Sequence, residues 1–182
     1  VTTPSPPPVA PSNLTATLLL NPNRAQLSWR DNSNNENLFQ IWRSTNNGAS
    51  WSTPTFLNSS APTSNATEGE VVVTGGGSGE FTAVWYASVS VGSGTGVDYD
   101  IHYARSTDGG ASWSAEKALN TDAGTDSKFD QMATVASDGA DSRVAMWLGS
   151  GTDSVYDLMV CRSTNDGKNW KDQDIIGQGS GM

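Results

Sequence analysis

Cysteine and histidine are almost absent: the 182-residue chain contains one of each, Cys161 and His102. A lone cysteine excludes an internal disulfide and a cysteine-type metal cluster, and a lone histidine supplies neither a catalytic triad nor a zinc site. Basic residues are also scarce, with 10 Lys and Arg against 19 Asp and Glu and a net charge of −9. Because nucleic-acid binding needs a basic surface, this composition predicts no nucleic-acid partner.

Long apolar runs and helical patterns are missing as well. No run of apolar residues is long enough for a membrane-spanning helix, so the sequence predicts no membrane partner. No segment of helix length shows the helical period of apolar residues, whereas short segments such as Phe39/Ile41, Ile101/Tyr103 and Leu158/Val160 alternate with the period of a strand. The sequence therefore predicts an all-β chain.

An eight-residue motif occurs three times, as Ser44–Trp51, Ser106–Trp113 and Ser163–Trp170, and we call these segments the box loops. Each follows an arginine, and successive copies are 62 and 57 residues apart. A second tryptophan recurs upstream of each loop, at Trp29, Trp85 and Trp147, within a short apolar segment. Recurrence at this spacing indicates a repeat architecture, with four strands per unit and about three units.

The residue types that the three copies of the motif share suit a tight turn between two strands. Asp or Asn at the third position can accept backbone N–H groups, Gly supplies a positive φ, and Trp covers the loop with its apolar face. These structural positions are Ser44, Asn46, Gly48, Trp51, Ser106, Asp108, Gly110, Trp113, Ser163, Asn165, Gly167 and Trp170. We interpret all three loops as structural elements rather than as sites of chemistry.

The pattern Ser-x-Asp-x-Gly-x-x-Trp resembles the Asp-box of sialidase-type β-propellers, also called the bacterial neuraminidase repeat. The resemblance implies a partial β-propeller of about three four-stranded blades, in which the boxes lie away from the catalytic face. Residues Pro8 to Ser44 are also similar to the first half of a bacterial fibronectin type III domain. The first unit is thus either a divergent blade or a partial fibronectin-like sandwich.

The chain divides into segments on these patterns. We predict a proline-rich linker over 1–12, a first unit over 13–61, Asp-box blades over 62–125 and 126–178, and a tail over 179–182. Proline-rich linkers are typical of extracellular multidomain proteins, so a secreted location is expected. Three blades do not close a ring of four to eight, which predicts either a homo-oligomer or a part of a longer chain.

A complete sialidase site is not predicted. The family holds the carboxylate of its substrate with three arginines and uses a Tyr/Glu pair and an Asp. Here three of six arginines belong to the repeat, leaving Arg24, Arg30 and Arg143, and the Arg-Ile-Pro signature of the family is absent. Catalysis by this chain alone is therefore not expected, and no catalytic residue is assigned.

Two sets of residues are candidates for binding. Asp122, Asp126 and Asp130 offer the hard oxygen ligands that calcium prefers, although acidic turns are commonly only solvated and no cofactor is otherwise expected. Aromatic rings can stack on sugars, and arginines can bind their polar groups. The glycan-binding candidates are Trp85, Tyr86, Trp147, Arg30 and Arg143, with the alternative that the tryptophans form the core between units.

The expected function is a glycan-binding or structural role within a secreted, sialidase-like Asp-box propeller. Two alternatives stay open. One is a part of an exo-sialidase-type glycoside hydrolase whose other blades lie outside this chain, and the other is a self-assembling interaction module. Glycan binding without turnover, turnover of a sialoside, and self-association with neither would distinguish the three.

Overall fold

The computed structural model describes residues 9, 12–20, 23–30, 32, 40–42, 44, 46–57, 67–77, 79–88, 98–123, 127–150 and 156–177. Most of the predicted linker, the tail 179–182, Asp126 and the side chains of Arg24, Trp29 and Arg30 lie outside this description. Within it the chain forms strands and turns and no helix, which confirms the all-β prediction. No sheet formed by these residues closes on itself.

Twelve strands are found in the described part of the chain. They are β1 (Ser12–Leu20), β2 (Asn23–Arg30), β3 (Gln40–Ile41), β4 (Thr55–Phe56), β5 (Glu68–Gly75), β6 (Phe81–Ala87), β7 (Asp100–Ser106), β8 (Lys117–Ala118), β9 (Asp130–Ser137), β10 (Arg143–Ser150), β11 (Tyr156–Ser163) and β12 (Lys171–Gly177).

The second and third units each form a four-stranded antiparallel sheet. The first sheet has the order β5-β6-β7-β8, and the second has β9-β10-β11-β12, so neighbours in the chain are neighbours in the sheet. Within each sheet the box loop connects the third strand to the fourth. The first unit differs from the expected four-stranded arrangement, because its described residues form two separate pairs, β1-β2 and β3-β4. Strands β3 and β4 have two residues each, so the ladder between them joins only two pairs of residues.

The two four-stranded sheets are repeats of one another in backbone detail. Glu70 in β5 has φ of 53° and Met132 in β9 has φ of 57°, both unusual for residues other than glycine. Each lies at a register shift between the first and second strands of its sheet, where the ladder carries a bulge. The two residues are 62 residues apart, the same spacing as Trp85 and Trp147. The backbone thus repeats with the period of the sequence.

Two clusters of buried apolar side chains pack against the four-stranded sheets. The larger lies between the sheets, where Val84, Ile101 and Tyr103 of the first meet Ala145 and Trp147 of the second. The smaller lies on the other face of the first sheet and contains Leu57, Ala83, Trp85, Ala87 and Ala104. Because side chains alternate between the faces of a strand, β6 and β7 contribute to both clusters. The first sheet is therefore covered on both faces.

Candidate functional site

The three box loops share one set of hydrogen bonds. In the second loop, the Ser106 hydroxyl donates to Asp108 Oδ1 at 2.8 Å and accepts the N–H of Gly110 at 2.8 Å. Asp108 Oδ1 also accepts the N–H of Ser112 at 2.9 Å. The same three bonds recur in the other two loops. In the first loop, the Ser44 hydroxyl donates to Asn46 Oδ1 and accepts the N–H of Gly48, and Asn46 Oδ1 accepts the N–H of Ser50. In the third loop, the Ser163 hydroxyl donates to Asn165 Oδ1 and accepts the N–H of Gly167, and Asn165 Oδ1 accepts the N–H of Asn169. Asn and Asp perform the same role because one side-chain oxygen accepts both bonds.

Two consecutive left-handed residues turn each box loop. In the second loop they are Gly109 and Gly110, with φ of 71° and 82°, and the first and third loops place Asn47–Gly48 and Asp166–Gly167 there. Glycine is required at the fifth position of the third loop for a further reason, because a Cβ on Gly167 would lie 2.9 Å from Thr82 Oγ1 of the first sheet. The third loop thus packs closely against the neighbouring unit.

The three tryptophans that end the box loops differ in their contacts and in their exposure. Trp113 packs against the cluster around Trp85, and the Trp170 ring meets Tyr103 edge-on with centroids 5.9 Å apart. Trp51 in the first loop is 59% exposed. The hydrogen bonds of the Asp108 carboxylate, led by that from the Ser112 hydroxyl, lower its pKa to about 2. These bonds are internal to the loop, and they support its structural interpretation.

Arg143, a glycan-binding candidate from the sequence, is buried where the two sheets meet near the box loops. Its guanidinium donates to Ser137 Oγ at 2.9 Å, to Ala140 O at 2.6 Å and to Asp166 Oδ1 at 3.2 Å. The side chain is 0% exposed, and it lies against Gly76 of the first sheet. No part of the guanidinium is open to a ligand, so Arg143 joins the units instead.

The two candidate tryptophans are buried as well. Trp85 and Trp147 are each 1% exposed, so neither ring has a face on which a sugar could stack. Trp147 donates its indole N–H to Asp130 Oδ1 at 3.0 Å, and the Trp85 ring lies 6.0 Å from His102. These positions are those of core residues between units, which was the alternative that the repeat indicated.

The sheet ends opposite the box loops carry a network of buried acids, and we call this region the acidic end. The side-chain amide of Asn120 donates to Asp100 Oδ1 at 2.9 Å, to Asp130 Oδ2 at 2.8 Å and to Asp122 Oδ1 at 3.3 Å. Asn120 Oδ1 accepts the N–H of Ile101 at 3.0 Å. In this network the amide group occupies the centre that a cation would need.

The calcium candidates fall partly within this network. Asp122 and Asp130 both bind the Asn120 amide, whereas Asp126 lies outside the described residues. Among the described residues, no three His, Cys, Asp or Glu side chains are arranged to hold a metal ion. The described geometry provides hydrogen-bond acceptors at this end.

A row of three aromatic rings lies at the same end, and we call it the aromatic row. The Tyr86 and Tyr99 centroids are 5.0 Å apart, and the Tyr99 and Phe129 centroids are 5.2 Å apart, both pairs being tilted. A backbone bond from Asp130 N–H to Tyr99 O, 2.7 Å long, ties the two sheets together here. Phe129 is 44% exposed, and Tyr86 and Tyr99 are half-buried. The row therefore presents aromatic surface beside carboxylates.

Two features fix this arrangement locally. The Tyr86 ring lies over Gly69, where a Cβ would come 2.3 Å from the Tyr86 hydroxyl oxygen. Asp98, just before Tyr99, is 4% exposed, and neither of its carboxylate oxygens has a hydrogen-bond donor among the described residues. Both oxygens are shielded from solvent, so the Asp98 carboxylate belongs to the interior of this end and is not open to a ligand.

Of the three residues in the aromatic row, only Tyr86 was a glycan-binding candidate from the sequence. Tyr99 and Phe129 were missed, although a signal is present. An aromatic residue precedes an aspartate at the start of three strands, in Tyr99-Asp100, Phe129-Asp130 and Tyr156-Asp157. This pair recurs like the box loops but at the opposite ends of the strands.

No protein-family model matches the sequence, and a search of curated proteins finds no similar sequence. Among the described residues there is also no apolar helix of the length that crossing a membrane requires.

Proposed function

We propose that this chain is a glycan-binding part of a secreted Asp-box β-propeller of the sialidase type. The support is the identical hydrogen bonding of three box loops and the packing of two four-stranded antiparallel sheets face to face. In this proposal the box loops are structural and the opposite, acidic end binds the ligand. The Asn120 network orders that end.

The observation that carries the proposal is the aromatic row. Tyr86, Tyr99 and Phe129 form a continuous series of rings, and the last of them is substantially exposed. Aromatic rings present an apolar face with polar groups near their edges, which suits the alternating C–H and O–H groups of a sugar. The half-buried carboxylate of Asp122 is an acceptor for sugar hydroxyls.

The charge at this end favours a neutral glycan over an acidic one. Arg105, Arg143 and Arg162 lie near the box ends of their strands, and the described acids Asp98, Asp100, Asp122 and Asp130 lie at the other end. Lys128 also lies at this end, but the four acids outnumber it, and a sialic acid carboxylate would meet there none of the described arginines, which could recognise it bidentately. We therefore propose neutral sugars as ligands, and we expect no hydrolysis of sialosides.

A glycan array with matched variants tests this proposal. Phe129→Ala removes the exposed ring of the row, and Phe56→Ala removes a phenylalanine of the same exposed fraction, 44%, from the separate β3-β4 pair. We expect the native chain and Phe56→Ala to bind the same neutral glycans, and Phe129→Ala to lose them. Equal binding by all three proteins, or binding confined to sialylated glycans, would contradict the proposal.

The hydrolase alternative has its own measurement. The chain is incubated with a fluorogenic sialoside and, separately, with fluorogenic neutral glycosides, and release of the fluorophore is followed. We expect no release. Turnover that Arg162→Ala, at an exposed arginine, left intact but Asp122→Asn abolished would show that the acidic end is a hydrolytic site and would overturn the binding role.

A further inference from the structure

Tyr156 is an exposed aromatic residue at the acidic end, outside the aromatic row. It is the first residue of β11, and it is 41% exposed. An aspartate follows it in the chain, as an aspartate follows Tyr99 and Phe129 of the row. The acidic end therefore carries one more aromatic residue of the same local pattern than the row contains.

The strand register places Tyr156 across one strand from Phe129. Gly149 of β10 pairs with Asp130 of β9 on one side and with Asp157 of β11 on the other. Since β9 and β11 both run antiparallel to β10, Phe129 and Tyr156 each lie one residue before this line of paired residues, at the same edge of the sheet. Two strand spacings separate their backbones by about 10 Å. The two aromatic residues thus flank the end of β10.

Tyr156 lacks the ring contacts that its equivalent in the first sheet makes. That equivalent is Tyr99, which lies 57 residues earlier and is half-buried between Tyr86 and Phe129. The position equivalent to Tyr86 in the second sheet is occupied by Leu148. No aromatic ring of the described residues lies against Tyr156. Its ring therefore has surface that a ligand can contact.

We propose that Tyr156 is a second sugar-binding position, and that the acidic end takes a neutral oligosaccharide across the end of β10 instead of a single terminal sugar. One aromatic ring stacks on the apolar face of one sugar, so two positions about 10 Å apart require several linked sugars. Asp157 adds a half-buried carboxylate beside this position, which disfavours an acidic sugar there. The position extends the site of the aromatic row, so it rests on the proposed function.

The dependence of affinity on ligand length tests this position. The probes are the gluco-, galacto-, manno- and xylo-oligosaccharides, each from the disaccharide to the hexasaccharide, titrated into the whole chain in a calorimeter. In a series that binds, we expect the hexasaccharide to bind more tightly than the disaccharide. Tyr156→Ala should weaken hexasaccharide binding by roughly threefold to tenfold, because one stacked ring is lost, and should leave disaccharide binding unchanged. Phe129→Ala should weaken both.

Two control variants separate stacking from other effects of substitution. Tyr156→Phe keeps the ring, and it should bind the hexasaccharide as the native chain does. Trp51→Ala removes a ring that is 59% exposed in the first box loop, and it should also bind as the native chain does. Weak hexasaccharide binding by Tyr156→Phe, equal to that of Tyr156→Ala, would contradict a stacking role.

The remaining outcomes distinguish this position from the proposed function. Hexasaccharide binding that Phe129→Ala abolishes and Tyr156→Ala leaves unchanged would overturn the second position alone. Equal affinities of the native chain for the disaccharide and the hexasaccharide would also overturn it alone. Binding that Phe129→Ala leaves unchanged, or no binding in any series, would overturn the proposed function and the second position together.

Discussion

The Arg143 guanidinium and the Asp166 carboxylate form an ion pair, with Nη2 and Oδ1 3.2 Å apart, beside the turn that joins β5 to β6. Arg143 belongs to β10 and Asp166 to the third box loop. The backbone oxygen of Asp166 also accepts a hydrogen bond from Nε of Arg105 in β7. The third box loop is thus connected to strands of both sheets.

Removing the buried guanidinium should destabilise the chain strongly. Arg143→Ala leaves the Asp166 carboxylate and the Ala140 carbonyl without their donor, and breaking a buried pair in this way costs about 3–5 kcal/mol. Urea denaturation followed by tryptophan fluorescence measures the change. Arg162→Ala, at an exposed arginine of β11, is the matched control and should stay close to the native chain. Equal loss in both variants would contradict a specific role for Arg143.

Gly76 should be intolerant of alanine because of Arg143. A Cβ at this position would lie 2.1 Å from Nη2 of a guanidinium that several hydrogen bonds hold in place. We expect Gly76→Ala to cost about 1–3 kcal/mol, as overpacking of a closed site does. The cost should fall in the Arg143→Ala background, which a double-mutant cycle measures. Additive free energies would show that the two sites are independent.

The hydroxyl of the first box residue should matter more than that of the seventh. Ser106 is 1% exposed, and its hydroxyl donates to Asp108 and accepts two backbone N–H groups. Ser106→Ala leaves the buried Gly110 N–H without an acceptor, which costs about 1–3 kcal/mol. Ser112→Ala, at an exposed position of the same loop, is the control. Thermal unfolding of both variants checks the order, and a larger loss for Ser112→Ala would contradict it.

The second box loop should add an acid-sensitive contribution to stability. Hydrogen bonds lower the pKa of Asp108 from 3.8 to about 2. A group whose pKa falls on folding stabilises the protein above its unfolded pKa, and this stability is lost as pH falls through the folded value. The difference in unfolding free energy between the native chain and Asp108→Asn should therefore shrink between about pH 4 and pH 2. A difference that does not vary with pH would contradict the role of the carboxylate.

The sequence predicted the parts of the fold that depend on local chemistry. The box loops follow from Ser, Asp or Asn, and Gly at fixed offsets, because every bond of the turn is made within eight residues. The strand positions of Trp85 and Trp147 follow from their recurrence. The two separate pairs formed by the described residues of the first unit could not be predicted, since the pairing of such short strands as β3 and β4 depends on distant contacts.

The candidate site was predicted less well, because contacts between sheets create it. Tyr99 and Phe129 are 30 residues apart, and they meet through the backbone bond between Asp130 and Tyr99. Arg143 looked available for a ligand because it is not one of the arginines that precede the box loops. Its burial results from the approach of Gly76 on the other sheet, which periodicity within one unit cannot reveal.

A titration with a neutral glycan selected on the array, followed by amide resonances of the labelled chain, tests the central claim most directly. Binding at the acidic end should shift the resonances of residues 98–100 and 128–130, which surround the aromatic row. The box loops at 106–113 and 163–170 should stay unchanged. Shifts confined to the box loops, or no shifts at saturating glycan, would contradict the claim that the aromatic row is a glycan site.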